Sequence, residues 1–328
     1  MSARYRPRRL VLAAATVLSL AAPLTVAGSW GQAAAAASLT TAWHNGAFSI
    51  NTGGVVSRSD VVIGQPNAAP AQSLPLGNGS LGVAAWAAGG FTAQLDRSDT
   101  MPYRLSPGQV QIPGLSAMTS ASDFAGTLDL YNGVLDESGG GMTMEAWVPA
   151  GKDELIVNVT GASPGTRQTA TLSLWSGRSP AAATSGAIGS LAQTWADNSQ
   201  TGASGQTFGA MAAITAGGQN VTASVVGSTQ VQVSFNPNTD GSFRIIVASP
   251  KWTGGTPAST ASSVIGADAT ATTSSLLSAQ SSAWNSYWAN SGLIEANSPR
   301  RHGAVHGEPA DPVPVRRGRL DAQRGLPG

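Results

Sequence analysis

Few side chains between residues 38 and 298 belong to the types that carry out catalysis or bind metal ions. His44 is the only histidine in this stretch, the chain has no cysteine, and no serine lies in a nucleophile-elbow motif. A Ser-His-Asp triad would therefore depend on His44, and no spacing of His, Asp and Glu matches a metal site. The sequence predicts no catalytic residue, no metal ion and no cofactor in this chain.

Two short polar segments are the best candidates for a binding site. The first is LPLGNGSLG at 74–82, and the second is QLDRSDT at 94–100. The glycines of the first segment superficially resemble a phosphate-binding loop, but no lysine follows them and no βαβ pattern surrounds them. Asp96 and Asp99 have the chemistry for acid–base work, yet capping of turns is the role that sequence alone favours for them.

Alternating apolar residues predict that these segments lie on antiparallel strands. The apolar faces of two such strands are Phe91, Ala93 and Leu95 and, further on, Met142, Met144, Ala146 and Val148. Asn132-Gly133 between two apolar runs is the strongest short hairpin signal. Further strands are predicted at 154–160, 207–215, 220–226, 230–235 and 243–249. Because no amphipathic helix separates these strands, we predict an all-β fold, with an antiparallel β-sandwich over 38–255.

A helical pattern is found only after Lys251. The apolar residues near i, i+3, i+4, i+7 spacing are Leu276, Leu277, Ala283, Trp284, Tyr287 and Trp288. They predict a linker-helix region at 256–298, with a helix from about 270 to 290 that ends at Gly292. Its serines and threonines make it a poor helix in isolation, so it needs a surface to pack on. Two interpretations stay open: the aromatic residues dock another domain, or the helix packs on the sandwich itself.

The two ends of the chain differ from the body. Residues 1–37 have four arginines, an apolar run and AAA before Ser38, which is typical of a secretory signal peptide cleaved on export. A membrane anchor is the alternative; general secretion is favoured, with the twin-arginine route open. The run at 299–328 has six arginines, five prolines and no apolar periodicity, and we predict a disordered tail translated from a shifted reading frame. The remaining body has 8 basic and 14 acidic residues, which argues against nucleic-acid binding, and no membrane contact is expected after cleavage.

The polar segments also carry a resemblance to a known family. PLGNGSLG at 75–82 and LDRSDT at 95–100 resemble the "PLGNGxLG" and "LNxDT" strands of secreted α-L-fucosidase-type glycoside hydrolases. LDL at 128–130, MEAWV at 144–148 and DELIVNV at 153–159 resemble later strands of the same family. Asp96 stands where the family favours asparagine and Met144 where it favours arginine, so the sugar need not be fucose.

The resemblance implies a large N-terminal sandwich of the supersandwich type, a linker helix and then a six-hairpin α/α barrel that holds the catalytic acid and base. It implies that this chain acts on a glycan or oligosaccharide only together with that barrel, which is missing from it, and is itself inactive. The residues predicted to contact the sugar are Asn78, Asp96, Arg97 and Asp99. Trp86 is predicted to lie in the core. A stand-alone secreted carbohydrate-binding module is the alternative, since nine tryptophans are present for stacking, and a self-contained secreted hydrolase is a third, less favoured reading.

Overall fold

The computed structural model describes two short strands at 43–44 and 47–48 and then residues 50–100, 105–196 and 207–291. The predicted signal peptide at 1–37, the predicted tail at 299–328 and the predicted helix stop at Gly292 lie outside these residues. No helix in the described part is long and apolar enough to cross a membrane.

The described residues are mostly strand. The strands are β1 (Trp43–His44), β2 (Ala47–Phe48), β3 (Val61–Ile63), β4 (Leu74–Gly77), β5 (Leu81–Trp86), β6 (Phe91–Arg97), β7 (Gly108–Ile112), β8 (Ala125–Asp129), β9 (Val134–Gly139), β10 (Met142–Trp147), β11 (Glu154–Thr160), β12 (Gln168–Ser173), β13 (Ala181–Ser185), β14 (Ile188–Ala196), β15 (Thr207–Gly217), β16 (Gln219–Gly227), β17 (Gln230–Asn236) and β18 (Phe243–Ala248). The α-helices are α1 (Thr52–Val56), α2 (Ser116–Thr119), α3 (Pro257–Ile265) and α4 (Thr273–Asn290). Short 3-10 turns lie at Ser57–Ser59, Pro70–Gln72, Pro113–Leu115 and Gly266–Ala269.

The strands β3 to β18 form two antiparallel sheets that face each other. One sheet has nine strands in the order β13-β14-β15-β18-β11-β10-β9-β8-β3, and the other has seven in the order β16-β17-β12-β7-β6-β5-β4. The prediction of an antiparallel β-sandwich is therefore confirmed. The pair β1–β2 belongs to a separate unit (1–48 with 296–328), while all other elements belong to the unit at 49–295.

The core between the sheets comes from the alternation that the sequence predicted. Phe91, Ala93 and Leu95 of β6 and Met144 and Ala146 of β10 belong to one buried cluster drawn from both sheets. Burying a side chain of leucine or phenylalanine size contributes roughly 1.5–3 kcal/mol, so the inner faces dominate the stability of the fold. The predicted core position of Trp86 is confirmed, since it is buried.

A helical layer covers the outer face of the nine-stranded sheet. Ala261 and Ile265 of α3 join a second apolar cluster with Trp147, Ile156 and Ile246 of the sheet, and Leu276 and Leu277 of α4 pack against this cluster. The helix predicted at 270–290 is thus confirmed, and its leucines lie on the sandwich itself.

The sequence predicts helix only after Lys251, but the structure also has two short helices before it, α1 and α2. The five-residue α1 forms where Asn51 accepts a hydrogen bond from the Gly54 amide at 2.9 Å, and α2 continues the 3-10 turn that Pro113 begins. Such short helices have too few apolar positions for a periodic pattern, so capping and tertiary packing decide them.

Candidate functional site

The segment at 74–82 forms β4, a tight turn at 78–80 and the start of β5. The Oδ1 atom of Asn78 accepts hydrogen bonds from the amides of Ser80 (3.0 Å) and Leu81 (2.9 Å), while the amide of Asn78 donates to the Leu81 carbonyl (3.1 Å). Gly79 has a φ of +93°, a conformation that favours glycine. The side chain of Asn78 therefore folds its own turn.

The side-chain nitrogen of Asn78 contacts a second loop. Asn78 Nδ2 lies within hydrogen-bond distance of the carbonyls of Pro149 (3.1 Å) and Lys152 (2.9 Å) and of Asp153 Oδ1 (3.3 Å). These acceptors belong to the loop between β10 and β11, which is in the other sheet. Asn78 thus joins the two sheets at one end of the sandwich.

Arg97, the last residue of β6, lies at the centre of the same junction. Its Nε and Nη2 atoms donate to the two carboxylate oxygens of Asp99 at 2.8 and 3.0 Å, and Nη1 donates to Asp153 Oδ2 at 2.8 Å and to the Ser249 carbonyl. The side chain of Arg97 is only 2% exposed. We call Asn78, Arg97, Asp99, Asp153 and Ser249 the arginine cluster.

The charges of the arginine cluster are mutually stabilised. Burial by itself would lower the pKa of Arg97, but the hydrogen bonds and charges of Asp99 and Asp153 raise it above its ordinary value. The hydrogen bond from Arg97 lowers the pKa of Asp99 despite partial burial. Arg97 and Asp99 are therefore both charged at neutral pH, and their forked contact is fixed in geometry.

The structure brings together three of the four predicted site residues. Asn78, Arg97 and Asp99 meet in the arginine cluster, whereas Asp96 lies on the opposite face of β6, exposed and across from Gly82. Neighbouring strand residues point to opposite faces, so Asp96 and Arg97 cannot share one site. Sugar contact by these residues stays a prediction. In the structure, the polar side-chain atoms of Asn78 and Arg97 form hydrogen bonds within the chain.

Asp153 and Ser249 are members of the cluster that the sequence did not single out as site residues. Asp153 lies 56 residues from Arg97 and Ser249 lies 152 residues away. The one available signal was that Asp153 opens the DELIVNV segment of the family resemblance.

Helix α4 docks on the turn between β8 and β9. Trp288 Nε1 donates to the Leu130 carbonyl at 2.8 Å, and Gln280 Nε2 donates to the Gly133 carbonyl at 2.9 Å. The Trp284 indole lies directly on Gly133, where a Cβ atom would overlap it. Gly133 also has a φ of +65°, and the predicted Asn132-Gly133 hairpin is confirmed. Glycine suits this position both because of its φ and because a side chain would overlap the Trp284 indole.

Two open clefts flank the turn at Asn78. The aromatic cleft, of about 410 Å³, has residues 77–79 and Ala150 on one side and Ala283, Trp284, Tyr287 and Trp288 of α4 on the other. The polar cleft, of about 470 Å³, is lined by residues 150–153, by Asn78, Ser80 and Pro250, and by Ser263 and Val264 of α3. Asn78 and Ala150 line both clefts. Because Asn78 belongs to the arginine cluster, the cluster fixes the segment that separates the two clefts.

A buried acid pair lies behind the polar cleft. Glu154 is fully buried, and no donor from the described residues reaches either of its carboxyl oxygens. Burial raises its pKa to about 9, helped by a hydrogen bond and the charge of Asp268, against the charges of Lys152 and Arg244. Burial would also raise the pKa of Asp268, but contacts with Glu154 and Lys152 (Nζ–Oδ1 2.6 Å) hold it below its ordinary value. Glu154 is therefore the member of the pair that is protonated at neutral pH.

A third depression, of about 460 Å³, lies on the outer face of the nine-stranded sheet and contains Asp136 and Glu145. The two residues are directly opposite each other on β9 and β10. Burial, with the charges of Glu145 and Asp129, raises the pKa of Asp136 to about 6. Directly opposed residues have Cβ atoms about 4.5–5.5 Å apart. Within the described residues, no group of His, Cys, Asp and Glu is placed to hold a metal ion.

Comparisons with known proteins concern the fold. No family model matches the sequence, and no curated protein matches it. Among solved structures, a protein described as a kojibiose phosphorylase from the human microbiome is similar over 71% of this chain and 38% of its own, with 11% identity and a TM-score of 0.42. A bacterial glucoamylase in complex with acarbose is similar over 70% of this chain and 40% of its own (8% identity, TM-score 0.32).

The family GH92 α-mannosidase from Bacteroides thetaiotaomicron is similar over 68% of this chain and 36% of its own, with 11% identity and a TM-score of 0.25. The chain thus spans about two fifths of the length of these structures. With TM-scores below 0.5, the similarities do not extend to function.

Proposed function

We propose that this chain is the exported, non-catalytic β-sandwich part of a glycoside hydrolase of the α-L-fucosidase type. In this proposal the turn at 77–79 and the loop at 149–153 form the rim of a glycan site. A helical barrel domain supplies the catalytic acid and base.

One observation carries the proposal: three segments that resemble the family meet at one point. Asn78 comes from the segment at 74–82, Arg97 and Asp99 from the segment at 94–100, and Asp153 from the segment at 153–159. They are far apart in the chain, and a resemblance in sequence carries no information about their distance in space. Their convergence in the arginine cluster supports a shared local architecture rather than separate chance matches.

The chemistry of the clefts supports a non-catalytic role. Inverting hydrolysis needs an acid and a base with carboxyl groups roughly 6.5–9.5 Å apart around a water molecule. Asp153 is the only carboxylate among the described residues that line the aromatic and polar clefts. Its Oδ2 atom lies 2.8 Å from Arg97 Nη1. A single carboxylate cannot supply both the acid and the base of this reaction.

A turnover assay tests the proposal. The protein spanning 38–328 is expected not to hydrolyse aryl fucosides, aryl galactosides or natural glycans, whereas a longer product that continues into helical hairpins is expected to do so. Hydrolysis by the short protein that is abolished by Asp99→Ala would place the chemistry in the arginine cluster and refute the proposal. Hydrolysis abolished by Asp136→Asn would refute it equally, by placing the chemistry on the outer face.

Export is a separate part of the proposal with its own measurement. We expect the mature chain in the culture medium of a secreting host, starting near Ser38 when its N-terminus is sequenced. Retention of residues 1–37 on a membrane fraction would show an anchor instead.

The aromatic cleft favours a second candidate, a stand-alone carbohydrate-binding module. The downstream DNA discriminates between the two. A reading frame for helical hairpins supports the hydrolase, and a genuine stop in the original frame supports the module.

A further inference from the structure

The aromatic cleft has the features of a ligand site that the family resemblance does not assign. Trp284 and Trp288 are half-buried in its wall, and Tyr287 is 58% exposed at its mouth. We propose that this cleft binds a neutral oligosaccharide, with one pyranose ring stacked on the Tyr287–Trp288 side of α4. The proposal rests on the proposed role of the chain in glycan contact and adds a site on the helix.

The three rings form a packed aromatic cluster, in which the Tyr287 ring makes angles of 74° with Trp284 and 73° with Trp288. Ring centroids lie 5.4 Å apart for Tyr287 and Trp288, 5.7 Å for Trp284 and Tyr287, and 6.2 Å for the two tryptophans. The hydrogen bond of Trp288 to Leu130 and the seat of Trp284 on Gly133 fix both indoles before any ligand arrives. Binding then costs little side-chain entropy, which is the usual benefit of rigid aromatic anchors.

The opposite wall explains why the ligand should be a sugar rather than a purely apolar molecule. Gly77 and Gly79 have no side chains, so the atoms that they contribute to the lining are backbone atoms. A ligand that fits must offer an apolar face to the rings and hydroxyl groups to the peptides, which is the surface of a pyranose. A volume of about 410 Å³ is within the range of small-molecule sites, about 300–1,000 Å³.

The charge of the lining selects a neutral sugar. None of the described residues that line the aromatic cleft is charged. Across the ridge at Asn78 and Ala150, the polar cleft carries Lys152 and Asp153, but Lys152 is bound to Asp268 and Asp153 to Arg97. An acidic sugar would therefore find no free cation in either cleft among the described residues.

Binding to cellohexaose, maltohexaose and 2′-fucosyllactose, measured by titration calorimetry and tryptophan fluorescence on the 38–328 protein, tests the proposal. We expect at least one of them to bind, and an acidic oligogalacturonate to bind at least tenfold more weakly. Tyr287→Ala should weaken binding about tenfold or more, and Tyr287→Phe should keep it within about threefold, because the stacking face is retained. Trp175→Ala is the matched control, since Trp175 is 43% exposed and does not line the cleft.

A second variant keeps the test decisive if Tyr287→Ala disturbs the helix. Ala150 is exposed on the opposite wall, so Ala150→Gln should fill the cleft and weaken binding without touching α4. The proposal is overturned if none of the three sugars binds, or if Tyr287→Ala and Ala150→Gln change affinity no more than Trp175→Ala. Either result would count against sugar contact at residues 77–79 and Ala150, but the hydrolase assignment would stand, because the turnover assay tests it separately.

Discussion

Replacing Arg97 with alanine should destabilise the fold strongly, although the family resemblance placed this residue among the sugar contacts. The substitution removes a forked contact with Asp99, an ion pair with Asp153 and a hydrogen bond to the Ser249 carbonyl. It leaves two carboxylates and a buried carbonyl without their donor. Breaking a buried pair by removing one partner costs about 3–5 kcal/mol.

The structure places the expected loss at the lower end of that range. The side chains of Asp99 and Asp153 are 32% and 24% exposed, so both regain part of their hydration when Arg97 is gone. We expect a loss of about 3 kcal/mol, and a melting temperature lower by roughly 6–12 °C at about 2–4 °C per kcal/mol for a domain of this size.

Asp96 provides the matched control because it is the next residue of the same strand. It is exposed on the other face, so Asp96→Ala should change the unfolding free energy by no more than about 0.5 kcal/mol. Urea unfolding followed by tryptophan fluorescence and circular dichroism measures both variants. If Arg97→Ala were as stable as Asp96→Ala, the arginine cluster would not hold the sheets together, and a binding role for Arg97 would regain support.

Two further substitutions test the acid pair and the seat of α4. The pKa of Glu154 is raised from 4.5 to about 9 in the folded protein, so between these pH values the native state binds one proton more than the unfolded state. The stability that this proton contributes is lost as the pH rises towards 9. Glu154→Gln should therefore flatten the fall in unfolding free energy between pH 6 and 8 by roughly 1–3 kcal/mol; an unchanged slope would mean that Glu154 is ionised in the fold. Gly133→Ala should lower the free energy of unfolding in urea by roughly 1–3 kcal/mol more than Gly141→Ala does. Both glycines have positive φ, but only a side chain at position 133 would overlap Trp284. Equal costs would show that α4 does not rest on Gly133.

The sequence by itself determined many of the strands and the Asn132-Gly133 hairpin, because these depend on short-range patterns. The strand predicted at 154–160 is β11 with the same bounds, and those predicted from 207 to 249 agree with β15 to β18 within two residues. A period of two places alternate residues on one face, and Asn-Gly or Gly-Asn-Gly sequences allow the tight turns between them. Nothing beyond neighbouring residues is needed for either inference.

Only the tertiary structure decided what each polar residue does and what covers each face. Alternation separates Asp96 from Arg97, but it does not reveal that Asp153 and Ser249 from the other sheet meet Arg97 across 56 and 152 residues. The helical stripe likewise left open whether α4 docks another domain or the sandwich. That choice depended on Gly133, which has no side chain and so leaves room for the Trp284 indole. Such contacts depend on the three-dimensional distance between residues far apart in sequence, and a periodic pattern carries no information about that distance.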